Sequence, residues 1–135
     1  MKTITVVADD KVGLLADISY ILAKSKINID SVSVEVVAGK AIISIGVADN
    51  VKAKQVVEAA GYAVEEANSL VVKLNDDPGE LSKLTDMLAK GGINLQAVHT
   101  LSKDGKHTII ALLVDKPRRA HTLLEKVLIT NEETY

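Results

Sequence analysis

Cysteine, tryptophan and phenylalanine are all absent from the 135 residues. Without thiols, disulfides, thiolate nucleophiles and cysteine-bound metals are excluded. Three tyrosines are the only aromatics, too few for a surface that stacks nucleic-acid bases. Charge of one sign is missing as well: 16 Lys and Arg stand against 18 Asp and Glu, a net charge of -2. Nothing in that balance steers the chain towards nucleic acid or an anionic membrane. No apolar run approaches the ~20 residues of a membrane span. The opening MKTITVVADD has one lysine and a short apolar run before two aspartates. That pattern does not match a signal peptide, so a cytoplasmic location is expected. Catalytic signatures are missing too: the chain has no HExxH, no GxSxG, no phosphate loop and no dinucleotide fingerprint. No cofactor, no metal and no enzymatic activity are therefore expected.

What is present is a repeat. DDKVGLLADISYILAKSKINI, from Asp9 to Ile29, returns as NDDPGELSKLTDMLAKGGINL, from Asn75 to Leu95. Shifting the sequence by 66 aligns residues 10–49 with 76–115 without a gap, and 13 of those 40 pairs are identical. Gly13/Gly79, Leu22/Leu88, Ile27/Ile93, Asn28/Asn94 and Gly39/Gly105 are among them. Two copies are too few for a solenoid. They predict two similar domains, residues 1–67 and 68–135. Hydrophobic content of 47% and charged content of 25% fit ordinary globular chains.

Each copy reads strand, helix, strand, strand, helix, strand. Ile4, Val6 and Ala8 alternate with threonines at strand period, whereas Leu14, Leu15, Ile18, Ile21 and Leu22 recur at helical spacing. A second helix carries Ala53, Val56, Val57 and Ala60, and its counterpart Ala120, Leu123, Leu124 and Val127, now shifted by 67. Short final strands are expected near Ala63–Glu66 and Val127–Thr130. Ala38-Gly39 and Asp104-Gly105 read as two-residue hairpin turns. A turn at 38–39 pairs Val34 with Ile43 and places Val32, Val34, Val36, Ala41, Ile43, Ile45 and Val47 on the core face. The same reasoning in copy two puts Val98, Ile109, Ala111 and Leu113 on the core face. His99, Leu101, Ile110, Leu112 and Val114 then form the other face. A face that apolar should not meet water, and the other domain or a partner chain is expected to cover it. The predicted fold class is α+β: two ferredoxin-like βαββαβ domains, antiparallel sheets with helices on one face.

The loop after each first strand leads into a helix start. Asp77 suits the N-cap, Pro78 the first turn and Glu80 a capping box; Asp10 is the expected cap in copy one, and Gly13 permits close backbone approach. Free N–H groups and the positive end of the helix dipole at such a place accept a carboxylate or phosphate. Asn28 and Asn94, after the helix, offer a donor and an acceptor. Amides plus Asn plus Asp10 or Asp76 could hold a zwitterion. Equally, Asp, Pro and Gly at a helix start are common caps and turns, and Asn after a helix is a common turn residue. The joint repetition of loop and asparagine favours the functional reading.

The histidines give no metal pair: the 104–105 turn pairs His107 with Ser102 and His99 with Ile110, on opposite faces. Lys116-Pro117-Arg118-Arg119 opens a helix, either as a solvated face or as an anion contact.

The segments D-D-P-G-E-L at Asp76–Leu81 and L-A-K-G-G-I-N-L at Leu88–Leu95, with D-K-V-G-L-L and L-A-K-S-K-I-N-I in copy one, resemble the ACT domain family. The likeness extends over almost the whole chain, in the manner of small proteins made of two ACT domains. It implies a regulatory module that binds a small molecule, most often an amino acid, at an interface between ACT domains. The family's ligand-contacting loop position falls on Asp76 and Asp10, its glycine on Gly79 and Gly13, and its asparagine on Asn94 and Asn28; Leu14, Asp77 and Glu80, at the same helix starts, complete the candidate ligand-binding set. Val12 stands where the family prefers proline. Asp stands where some amino-acid-binding members have asparagine. The implied partners are an amino acid, a second copy of the chain in a homodimer, and an enzyme of amino-acid metabolism. The alternative is a structural subunit of such an enzyme with no ligand of its own.

Overall fold

A computed structural model describes residues 2–66 and 68–129. They divide into two compact units, with the break between Glu65 and Glu66.

The first unit runs β1 (Lys2–Asp9), α1 (Leu14–Lys24), β2 (Ser31–Val37), β3 (Lys40–Val47), α2 (Asn50–Ala59) and β4 (Ala63–Val64). Its sheet is antiparallel, in the order β2-β3-β1-β4, which is the ferredoxin-like plan. Leu14, Ile18 and Leu22, four apart on α1, pack with Ala53 and Val57 of α2 onto Ile4, Val6, Ile43 and Ile45. Each of the Leu, Ile and Val side chains contributes roughly 1.5–3 kcal/mol by leaving water. Ala38 and Gly39 both take positive φ, 54° and 77°, as the expected two-residue turn requires. Val34 pairs with Ile43 as expected. Three of the four valines of β2 stay out of the core, however. Val32, Val34 and Val36 are 46%, 46% and 50% exposed, because β2 is the edge strand of the sheet and pairs on one side only.

The second unit runs β5 (Leu70–Asn75), α3 (Glu80–Lys90), β6 (Leu95–Lys103), β7 (His107–Val114) and α4 (Pro117–Leu123), with strand order β5-β7-β6. Beside β5 the fourth strand shrinks to one bridge, Val72 with Leu128. It is flanked by Lys73 N–H donating to Val127 O at 2.9 Å and Ile129 N–H donating to Val71 O at 2.8 Å. The last residue of the expected strand, Thr130, lies outside the described residues. The first unit's β4 is likewise short.

The second hairpin overturns the expected register. Asp104 and His107 close it, Asp104 N–H donating to His107 O at 3.2 Å. The turn is therefore Gly105-Lys106, one residue later than predicted. Leu101 is the inserted residue: the ladder steps from Thr100–Ile110 to Ser102–Ile109 and leaves it as a bulge. The core face of β7 is consequently Ile110, Leu112 and Val114, not Ile109, Ala111 and Leu113. A one-residue slip exchanges the faces of a strand. Ile109 and Ala111, on the other face, are buried as well. His99 pairs with Ala111 and His107 with Asn75, so both histidines share one face, contrary to expectation. They sit about four residues, or ~13 Å, apart along it, too far to share a metal ion.

The basic cluster also has a structural role. Lys116 Nζ reaches Gly92 O at 2.5 Å, and Arg119 Nε reaches Gly91 O at 2.6 Å. Two cations from the start of α4 thus satisfy carbonyls at the negative end of α3.

Candidate functional site

Both helix starts depart from the expected caps in the same way. The N-cap of α1 is Gly13 (φ 82°) and that of α3 is Gly79 (φ 89°), each left-handed and with no side-chain cap. Asp10 and Asp77 are therefore not N-caps, and Glu80 is the first helical residue, outside any capping box. A left-handed turn brings the chain from strand to helix, and glycine adopts it at no steric cost. No other group lies within 4 Å of where a Cβ would stand on either glycine. Conformation, not close approach, thus explains the glycine within this chain. The amides of the first turn are left without side-chain partners. By contrast, α2 is capped by Asp49, which accepts from Lys52 N–H at 3.1 Å.

Each loop is tied to the neighbouring hairpin. Asp10 N–H donates to Gly39 O at 3.1 Å, and Asp76 N–H donates to Lys106 O at 2.9 Å. A lysine adds an ion pair in each unit. Lys40 meets Asp9 at 2.5 Å, and Lys103 meets Asp76 at 3.1 Å. The Lys40 ammonium, by hydrogen bond and charge, holds the Asp9 carboxyl below the usual range. In the second hairpin the amides of His107 and Lys106 lower Asp104 likewise.

In the second unit the loop opens on a cavity of about 260 Å³. Asp76, Asp77, Gly79, Glu80 and Leu81 line one side, with Thr100, Lys103, Thr108 and Ile110 from the sheet opposite. Position 80 distinguishes the two units. In the first, Leu14 is 4% exposed and fills the core beneath its helix start. In the second, Glu80 takes that place and lines both the cavity and a neighbouring hollow, its carboxylate 4.0 Å from Lys83 Nζ. A second hollow of about 230 Å³ lies between α3 and α4, lined by Leu74, Leu84, Met87, Leu123, Leu124 and Val127 with Glu80, Lys83 and Lys126 at the rim.

The asparagines lie elsewhere. Asn28 Nδ2 donates to Asp30 Oδ1 at 3.0 Å. Asn94 N–H donates to Asp115 Oδ1 at 2.8 Å, and its carbonyl accepts from Asp115 N–H at 3.1 Å. Each follows the C-terminus of an 11-residue helix whose N-terminus carries the loop, so about 16 Å separates them. Within one unit the structure brings Asp76, Asp77, Gly79 and Glu80 together and leaves Asn94 at the far end. Asp10 and Asn28 are separated in the same way.

Lys103, Thr100 and Thr108 were not singled out in the sequence. Finding them required the hairpin register that the Leu101 bulge conceals. Among the described residues no group of three or more His, Asp or Glu is placed to hold a metal ion, and no helix is long and apolar enough to cross a membrane.

Residues 2–60 match the sequence model of the ACT domain. No curated protein matches the chain. Among solved structures, similar chains include a protein from Bacteroides thetaiotaomicron, 18% identical over 94% of this chain and 90% of that one, TM-score 0.48. The ligand-free regulatory subunit of aspartate kinase from Thermus thermophilus is 14% identical over 92% and 90%, TM-score 0.43. The small subunit of acetolactate synthase from Thermotoga maritima is 12% identical over 95% and 89%, TM-score 0.39.

Proposed function

We propose that the chain is a non-catalytic regulatory protein built from two ACT domains, the second beginning at about Glu66. It binds an amino acid at the loops that precede α1 and α3, and it couples that binding to assembly or to a partner enzyme. One observation carries the reading: both units repeat the same uncapped, left-handed glycine helix start beside an aspartate whose backbone N–H is held by a hairpin carbonyl. The ACT match over residues 2–60 supports it.

The chemistry suits a zwitterion. Helix-start amides and the dipole favour the ligand's carboxylate, while Asp76 or Asp10 takes its ammonium. The asparagine lies ~16 Å away in the same unit, so Asn28 or Asn94 of a second copy of the chain completes the site. Ligand binding then favours one arrangement of units over another, by its differential affinity for them. Homodimerisation supplies further units. A thermal-shift screen against the twenty amino acids, with sedimentation of any hit, tests this. Stabilisation that Asp76→Ala reduces is expected. No shift with any amino acid removes the sensing role.

The β2 edge favours a second reading. Its three exposed valines suit an interaction subunit that binds an enzyme without any small ligand. Recovery of a stoichiometric enzyme partner in ligand-free buffer supports that reading.

A further inference from the structure

We propose that Lys103 is a specificity-determining residue of the second-unit cavity, its ammonium standing at Asp76 in place of the ligand's own. The inference rests on reading the loop before α3 as a ligand site. Both side chains line that cavity. Lys103 Nζ lies 3.1 Å from Asp76 Oδ1, yet the two ends of the pair differ: the aspartate side chain is 21% exposed and the lysine 60%. Asp76 is also anchored through its N–H to Lys106 O. Lys106 N–H in turn donates to Asp104 Oδ1 at 2.9 Å, which stiffens the turn that holds it. The carboxylate stays in place, therefore, while the lysine head can move into water on its four-carbon stem.

Once Lys103 withdraws, the lining keeps Asp76, Asp77 and Glu80 and no cation. A lining of that charge selects a ligand with a primary ammonium, and Lys103 already shows such a group in place. Binding is then an exchange of one ammonium for another, with the number of ion pairs unchanged. This predicts that the protein's affinity varies little with salt. Replacing the lysine by a neutral side chain turns the exchange into formation of a new pair, which salt screens. In the first unit Lys40 pairs with Asp9 instead of Asp10, so the selection belongs to the second unit.

The test follows the backbone amides of Asp76, Asp77 and Gly79 by NMR in the full chain and in Lys103→Met. The probes are L-alanine and its two halves, ethylamine and propionate, each at low and high salt. The variant is expected to bind L-alanine and ethylamine about two- to five-fold more tightly at low salt, the range for one exposed ion pair. That gain should vanish at high salt, and propionate should show none. Unchanged or weaker binding of both amines to the variant overturns the role of Lys103 and leaves amino-acid binding intact. If these amides respond to neither amine in either protein, the inference is overturned. The sensing role falls with it only when the twenty-amino-acid screen is also silent.

Discussion

Single residues in this chain do work that their types alone do not advertise. Ala38 holds φ 54°, a conformation that costs an ordinary side chain about 1–2 kcal/mol. Ala38→Gly relieves it and should raise the unfolding free energy by up to about 1 kcal/mol in urea titrations. Gly79 is the converse. With φ 89°, Gly79→Ala should destabilise the second unit by about 1–2 kcal/mol and weaken amino-acid binding with it. Asp104 gives the pH test. Its folded pKa lies below the ordinary 3.8, because the amides of His107 and Lys106 donate to the charged form. A carboxyl lowered on folding stabilises the protein fully above its unfolded pKa, and the contribution is lost as pH falls through the lower folded value. Asp104→Ala should therefore lose less stability than the parent chain as pH drops below 3.8, read by thermal melts across an acid series.

At the scale of elements, most of the plan was legible and two features were not. The alternation of Ile4, Val6 and Ala8 and the fourfold spacing of Leu14, Ile18 and Leu22 report burial directly, and the structure places them in the first core. The exposure of Val32, Val34 and Val36 could not be read, because alternation shows which face a strand presents and not whether a helix reaches its edge. The face of β7 could not be read either. An alignment without a gap conceals an inserted residue when a bulge absorbs it, and Leu101 does this. The second half of that alignment is one residue out of register, which the shift of 67 between the later helices already records. In the candidate site the loop was legible from its repetition. The separation of loop and asparagine was also present in the helix length. Lys103 depended on the hidden register. The exposed stripe of β2 makes its own prediction: a lysine on an edge strand opposes pairing with another chain. Val34→Lys should leave the melting temperature nearly unchanged, as exposed substitutions do within about 0.5 kcal/mol. If β2 joins copies, the same variant should sediment as a smaller species.

For the whole molecule, the two units share one plan and differ in chemistry. Leu14 closes the first helix start with a hydrocarbon, and Glu80 opens the second to a charged cavity. The proposed sensing therefore need not be symmetric. Asp76→Ala and Asp10→Ala, compared by calorimetry with whichever amino acid stabilises the protein, should differ in stoichiometry or affinity. Equal losses would show that the two loops act alike.

The Leu101 bulge has a consequence for how such a chain tolerates change in length. An outer strand with water on one side can absorb a surplus residue, and everything downstream keeps its orientation. Removing Leu101 should close that bulge and yield a soluble, cooperatively melting protein, whereas removing Ile110 from the middle of the sheet should not. The margins of these sheets are therefore where length can vary without loss of the interior.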